Sequence, residues 1–268
     1  MIHIIIATIE GREAFLKKLL ESIDRYFTQN HRIYVVRQYK FKKVEINKKN
    51  LVFKNIMDFG ASNARNIGIN LASRAASDED FFLFPDDDCF FREFISIKDY
   101  LSYELILLDI RDQESSKRLG MIFYSKGSSL YHFYKINCPR FFIKWSTLKG
   151  YRFDTRYGPG SAVPAVEETE LLGRILSDKP ELRHIQLNQI IYHPLNKPTE
   201  EKTKDYAFAQ GFLLREFYLK NKMLFFIYLK GIVRPFFGFM INIFSSSQRK
   251  YYQVRMSFIL RGFFHDHS

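Results

Sequence analysis

Cysteine is scarce in this chain: Cys89 and Cys138 are the only two among 268 residues. Two thiols cannot build the disulfide framework that holds small secreted domains together, so a reducing, cytosolic setting is expected. Acidic residues are also short, with 29 Asp and Glu against 41 Lys and Arg and a net charge of +12. A single Trp is outweighed by 28 Phe and 16 Tyr. Basic and aromatic excess together point first to a polyanion or an anionic membrane as partner. There is no internal repeat and no low-complexity stretch. Residues Met1–Ile9 lack a basic n-region and a small-residue cleavage site, so they read as a buried strand and not as a secretory leader. Hydrophobic residues make up 46% and charged residues 26%, which supports a sizeable core and argues against disorder. The length suits one large domain, or a domain with an appendage.

The excess is unevenly placed. From Glu201 to Ser268 there are 11 basic and 4 acidic residues, a net of +7, leaving only +5 for the first 200. Residues 211–268 also hold 15 aromatics. The division predicts a globular domain with an ordinary charge balance over 1–200 and a basic, aromatic helical tail over 201–268.

Within the first part, strands and helices alternate. Ile2–Ile9 is an apolar run of strand length, followed by a helix with Phe15, Leu19 and Ile23 at four-residue spacing. Ile33–Val36 and Leu51–Phe53 are two more strands. Ala61, Ala64, Ile67, Leu71 and Ala75 mark a helix face, and Phe81–Phe84 is a buried strand. The alternation predicts an α/β domain with a mostly parallel, Rossmann-like central sheet, in which ligands bind beyond the carboxyl ends of the strands.

The strand at Phe81–Phe84 ends in Pro85-Asp86-Asp87-Asp88. Three adjacent carboxylates repel one another, and a hard divalent cation would relieve that repulsion. If the turn stays extended, Asp86 and Asp88 point the same way. The alternative is a solvated acidic turn or helix cap. Gly60–Gly68 opens a helix with small residues and one cation, Arg65, a place that suits an anion or simply close packing on a sheet. At Val166–Leu176, Glu168 shares a face with Leu171, Leu172 and Ile175, so it is either a satisfied cap or a catalytic base. Glu170 and Arg174 are spaced as a structural i,i+4 pair.

Taken in order, these segments resemble the family 2 glycosyltransferases, inverting nucleotide-sugar enzymes of the GT-A fold. The resemblance rests on Ala7–Arg12, Gly60–Gly68, Phe84–Cys89, Phe153–Gly160, Glu167–Glu170 and Tyr192-His193-Pro194, and covers about residues 1–195. It implies that Thr8, Glu10 and Arg12 lie near the nucleotide base, and Arg65 near the uridine or pyrophosphate. Asp86 and Asp87 are implied in nucleotide binding. Asp86, Asp88 and His193 are implied as holders of Mg2+ or Mn2+, Glu168 as the base that deprotonates the acceptor hydroxyl, and Asp154 and Glu167 as acceptor-side residues. His193 is implied alternatively as a diphosphate contact, and as a lone histidine its other reading is a packed core residue. The chain departs from the family at Arg37-Gln38-Tyr39-Lys40, where an Asp often reads uracil, and at Glu167-Glu168, where the motif is Glu-Asp. The implied activity is hexosyl transfer from a nucleotide sugar, a UDP sugar first, to a glycan or lipid-linked acceptor in cell-surface polysaccharide synthesis.

In the tail, Met223–Phe244 is 22 residues of mostly apolar character. A span needs about 20 such residues, but Lys230, Arg234 and Pro235 fall in its middle, and a central cation costs about 2.5–3.5 kcal/mol on the insertion scale. The expectation is an amphipathic region lying on the inner face of the cell membrane, with a packed helical subdomain or homodimer contact as the alternative. The rivals are a Mg2+-dependent nucleotidyltransferase, disfavoured because Ile9–Arg12 offers only Gly11 for a phosphate loop, and a basic membrane- or nucleic-acid-binding module. No nucleic-acid partner is expected, because the charge lies in an apolar tail and Asp86–Asp88 would repel phosphate backbones.

Overall fold

In the computed structural model, which describes residues 1–38, 50–119, 133–195, 199–233 and 246–265, the first strand β1 (Ile2–Ile9) sends alternate side chains into two different layers. Ile2, Ile4 and Ile6 pack with Leu16, Leu19, Leu20 and Ile23 of α1 (Glu13–Tyr26), while Ile5 joins the core on the opposite face. Such two-sided burial explains a run that is apolar except for His3 and Thr8, which are themselves buried. Each fully buried Ile or Leu here contributes about 1.5–3 kcal/mol relative to exposure. Phe15 departs from the expected face: it is 47% exposed beneath the Arg12 guanidinium, and Leu16 and Leu20 take the core positions.

β2 (His31–Gln38) and β3 (Leu51–Ile56) follow, then α2 (Ala61–Ala72) and β4 (Phe81–Leu83). Tyr39 and Lys40 lie outside the described residues. The buried face of α2 carries Ser62, Ala64, Arg65, Gly68, Ile69 and Ala72, rotated from the stripe expected through Ala61, Ile67 and Leu71; Ala75 lies beyond the helix and is exposed. Close approach to β1 sets this rotation, since a Cβ on Gly68 would collide with the Ile5 side chain.

The remaining elements are β5 (Leu105–Asp112), β6 (Phe141–Lys144), the short α3 (Trp145–Leu148), α4 (Glu167–Asp178), β7 (His184–His193), α5 (Glu200–Lys220), α6 (Lys222–Ile232) and α7 (Ser246–Phe263). The seven strands form one sheet in the order β3-β2-β1-β4-β6-β5-β7. Only β6 runs antiparallel to its neighbours, so the sheet is mixed but mostly parallel. The chain runs outward from β1 to β2 and β3, then returns to place β4 on the other side of β1. That reversal makes a topological switch point beyond the carboxyl ends of β1 and β4, the place where open α/β sheets bind ligands.

The segment after residue 200 packs on this domain. Phe212 of α5 meets Tyr157 edge-on at 5.8 Å, and Phe217 meets Phe133 at 6.0 Å. Leu224 and Tyr228 of α6 are 4% and 2% exposed, so part of the apolar run beginning at Met223 belongs to the core. Arg234 and Pro235 lie outside the described residues. Among the described residues no helix is long and apolar enough to cross a membrane. α5 and α7 cross in close contact through two glycines: a Cβ on Gly211 would overlap the Ile259 carbonyl, and one on Gly262 would overlap that of Phe208. Gly211→Val should therefore cost at least about 1–3 kcal/mol, measured as a lowered urea midpoint.

Candidate active site

Pro85-Asp86-Asp87-Asp88 leaves β4 at that switch point and distributes its three carboxylates to different partners. Asp87, 5% exposed, turns towards β1. It accepts hydrogen bonds from Thr8 Oγ1 at 2.6 Å and Arg12 Nε at 2.7 Å. Arg12 also reaches Asp88 Oδ2 at 2.7 Å. Asp86 and Asp88 share the other side with His193, whose Nε2 lies 3.7 Å from Asp86 Oδ2 and 3.5 Å from Asp88 Oδ1. The segment is a tight turn and not an extended one: the Cys89 amide donates to the Asp86 carbonyl at 3.0 Å, so the turn, and not strand alternation, brings Asp86 and Asp88 to the His193 side.

His193 reaches this point through a short antiparallel pairing. Phe90 and Tyr192 exchange backbone hydrogen bonds of 3.0 and 2.9 Å. Asp88 stands two residues before Phe90 and His193 directly after Tyr192, so the pairing sets the two side by side. The His193 ring is oriented from behind, with Nδ1 2.8 Å from the Pro194 carbonyl, which leaves Nε2 towards the carboxylates.

Arg65 is the central cation. It is 5% exposed, and its Nη2 donates to Asp86 Oδ1 at 2.9 Å while Nη1 donates to Glu167 Oε1 at 2.8 Å. One guanidinium thereby ties the acidic turn to the first turn of α4. Its neighbour Asn66 clamps the Phe153 backbone, donating to the carbonyl at 2.8 Å and accepting from the amide at 2.9 Å. Gly158, at φ +102°, lets that loop pass against Glu167, and Ser62 Oγ donates to the Tyr157 carbonyl at 2.6 Å. The amide of Gly60 is taken by Gln38 and that of Ala61 by Pro159, so the start of α2 presents Arg65, rather than those two amides, to the site.

Glu167 and Glu168 open α4 and have different fates. Glu167 is buried and engaged by Arg65, whereas Glu168 is only partly buried. Burial, and then the adjacent Glu167, push the Glu168 carboxyl well above the usual range, as expected of a group poised to hold a proton. Burial also raises Asp86, against the pull of Arg65 and His193. Glu170 pairs with Arg174 as the spacing predicted.

Two expected site residues stand apart. Glu10 is exposed just beyond β1. Asp154 is engaged by Arg156, which donates from Nη2 at 2.7 Å and from its backbone amide at 3.0 Å. Three residues were not anticipated. Gln38 at the end of β2 accepts from the Gly60 amide at 2.7 Å. Cys138 is buried beside Glu167 and Glu168. Tyr206 of α5 has its hydroxyl pushed up to about 12 by desolvation of that group and then by the carboxylates of Glu168, Glu167 and Asp86. The departure from the family's Asp pointed to the Gln38 region, but nothing local in the sequence marked Cys138 or Tyr206.

Asp86, Asp88, Cys89 and His193 place one donor atom each within 4.8 Å of one another. Asp88 Oδ1 is buried with no hydrogen-bond partner. An orphaned buried carboxylate oxygen facing an imidazole is a costly arrangement that a cation would satisfy. Two carboxylates and an imidazole suit Mg2+ or Mn2+. Burial holds the Cys89 thiol well above its usual pKa, which disfavours it as a ligand at neutral pH.

Fold and site define the class: a mixed α/β protein with a seven-stranded, mostly parallel sheet and a carboxylate and histidine cluster beyond the ends of β1 and β4. Among solved structures it is similar to TarS of S. aureus. The fragment of residues 1–349 matches at TM-score 0.60 and 13% identity, covering 97% of this chain and 80% of that one. The same fragment in complex with UDP matches at TM-score 0.54 and 13% identity, over 99% and 72%. A longer TarS chain matches at TM-score 0.51 and 14% identity; the match spans 98% of this chain and about half, 54%, of that one. No family model matches the chain, and no curated protein does.

Proposed function

We propose that this protein is an inverting, metal-dependent glycosyltransferase of the family 2 type, moving a hexosyl group from a nucleotide sugar to a hydroxyl of a glycan or lipid-linked acceptor. The observation that carries the reading is the cluster of Asp86, Asp88 and His193, bridged from Asp86 by Arg65 to Glu167, the neighbour of Glu168 at the start of α4. The UDP complex of TarS, a GT-A-type glycosyltransferase of similar fold, supports a UDP sugar as donor. Cell-surface polysaccharide assembly is the setting this acceptor class implies.

Asp86, Asp88 and His193 would hold Mg2+ or Mn2+. When bound, the cation supplies charge neutralisation for a diphosphate leaving group. Asp87 anchors the turn through Thr8 and Arg12, so its neighbours keep their orientation. Arg65 takes up Glu167 and leaves Glu168 as the accessible carboxylate of the pair. Glu168 accepts the proton of the acceptor hydroxyl, whose oxygen attacks the anomeric carbon from the face opposite the diphosphate. Inversion follows from that single displacement, and no covalent nucleophile is needed.

Calorimetric titration of UDP with Mn2+ and with EDTA is the direct test, extended by a screen of nucleotide sugars for metal-dependent hydrolysis. UDP should bind measurably only with the metal present. Equal affinity in EDTA would remove the metal assignment, and no binding of any nucleotide under either condition would remove the donor class.

A further inference from the structure

We infer that the protein docks on anionic lipid through a folded aromatic knob where the end of α5, the start of α6 and the end of α7 converge. In its described part, up to Val233, the apolar run that begins at Met223 is divided by the fold. Leu224 and Tyr228 are buried, and Tyr228 packs edge-on against Phe217 at 5.5 Å. Its other face turns outward, with Met223 and Phe226 at 53% and 60% exposure. They are joined by residues outside the run: Tyr218, Leu219 and Phe264 are 50%, 62% and 73% exposed. Ring contacts make the patch continuous. Phe226 touches Phe225 at 5.2 Å, Phe225 touches Tyr218 at 5.2 Å, Tyr218 touches Phe263 at 6.2 Å, and Phe263 touches Phe264 at 5.2 Å. Contiguous exposed aromatics of this kind mark an interaction surface, where isolated ones would not.

Charge selects the occupant. Between Asp205 and Asp266 the sequence has nine Lys and Arg and one acid, Glu216. Glu216 is neutralised by Arg156 and Lys220. Lys220, Lys222 and Arg261 are exposed on the helices that carry the aromatics. A two-fold contact between copies would set this cationic rim against itself, which is unfavourable. Anionic head groups match the rim while the acyl boundary receives the rings. The inference does not depend on the proposed transfer reaction.

Co-sedimentation of the full chain with vesicles of phosphatidylcholine, alone or mixed equally with phosphatidylglycerol, tests it. The wild type should pellet with the mixed vesicles and far less with the neutral ones. Removing two exposed rings in Phe226→Ser/Phe264→Ser should lower partitioning at least about tenfold. Lys222→Gln/Arg261→Gln should lower it roughly thirtyfold on mixed vesicles in low salt, at about 1 kcal/mol per cation, and leave neutral vesicles unaffected. Unchanged thermal midpoints and circular dichroism spectra verify that both variants fold. The inference fails if the wild type stays in the supernatant, or if the ring variant partitions like wild type. It also fails if the wild type sediments as a dimer that the ring variant dissociates, which would make the patch a contact between copies.

Discussion

Asp88→Asn should abolish sugar transfer and strip UDP binding of its metal dependence while leaving the fold intact. The substitution keeps the size of the side chain, and its Oδ1 has no hydrogen-bond partner to lose. What changes is charge. A neutral amide offers a cation a weaker oxygen, and Arg12, 2.7 Å from Oδ2, loses one of its two carboxylates. Replacing outer-shell partners of metal sites typically costs about 10–100-fold in affinity, so a direct ligand should cost at least that much. Calorimetry of UDP with Mn2+ reads the affinity, and a coupled assay of released diphosphonucleotide reads turnover. Binding and turnover equal to wild type would mean that the Asp86–Asp88 turn does not hold a metal. Asp87→Asn separates structure from chemistry, because Asp87 faces Thr8 and Arg12 and not the cluster. Its main effect should be a lowered thermal midpoint.

The second large effect is expected at Glu168. Glu168→Gln preserves shape and polarity but removes the proton acceptor, so kcat should fall at least about a hundredfold with donor affinity nearly unchanged. The pH dependence gives an independent readout. Burial and the neighbouring Glu167 raise the Glu168 carboxyl above its ordinary range. A base is useful only when deprotonated, so activity should decline as pH falls through that raised value, at a higher pH than an unperturbed glutamate would give. The variant's residual activity should lack this acidic limb. A loss of only a few-fold would shift the base to Glu167, the other carboxylate at the start of α4. Asp154 is the less suitable substitute, since Arg156 holds it in the ionised form by two hydrogen bonds from the same side chain and lowers its affinity for a proton.

Much of the frame is legible in local sequence. β1 appears as a mostly apolar run because both its faces are buried, and the acidic turn appears because three adjacent carboxylates after a buried strand are conspicuous. The Glu170–Arg174 pair follows from helical spacing alone. Phe15 was misplaced because four-residue spacing fits either of two adjacent stripes, and only contact with the sheet distinguishes them. The α2 stripe was misplaced for the same reason, since the fit of Gly68 against Ile5 sets the rotation. The apolar run from Met223 looked like one amphipathic unit because composition does not record which side of a helix another helix will cover.

The sequence by itself determined the elements and the inventory of chemical groups: an α/β alternation, a carboxylate turn ending a buried strand, a glutamate pair opening a helix, and a basic aromatic segment. These depend on residues within a turn or two of one another. Tertiary structure decided which of those groups are engaged and which remain available. Thr8 and Asp87 are 79 positions apart, and Arg65 and Glu167 are 102 apart. Folding brings them within hydrogen-bond distance, turning Asp87 and Glu167 into held carboxylates while Asp88 keeps one oxygen, Oδ1, without a hydrogen-bond partner and Glu168 stays only partly buried. The reason is electrostatic: protonation and ligand strength depend on burial and on charges a few ångströms away through space, and chain order does not specify those distances.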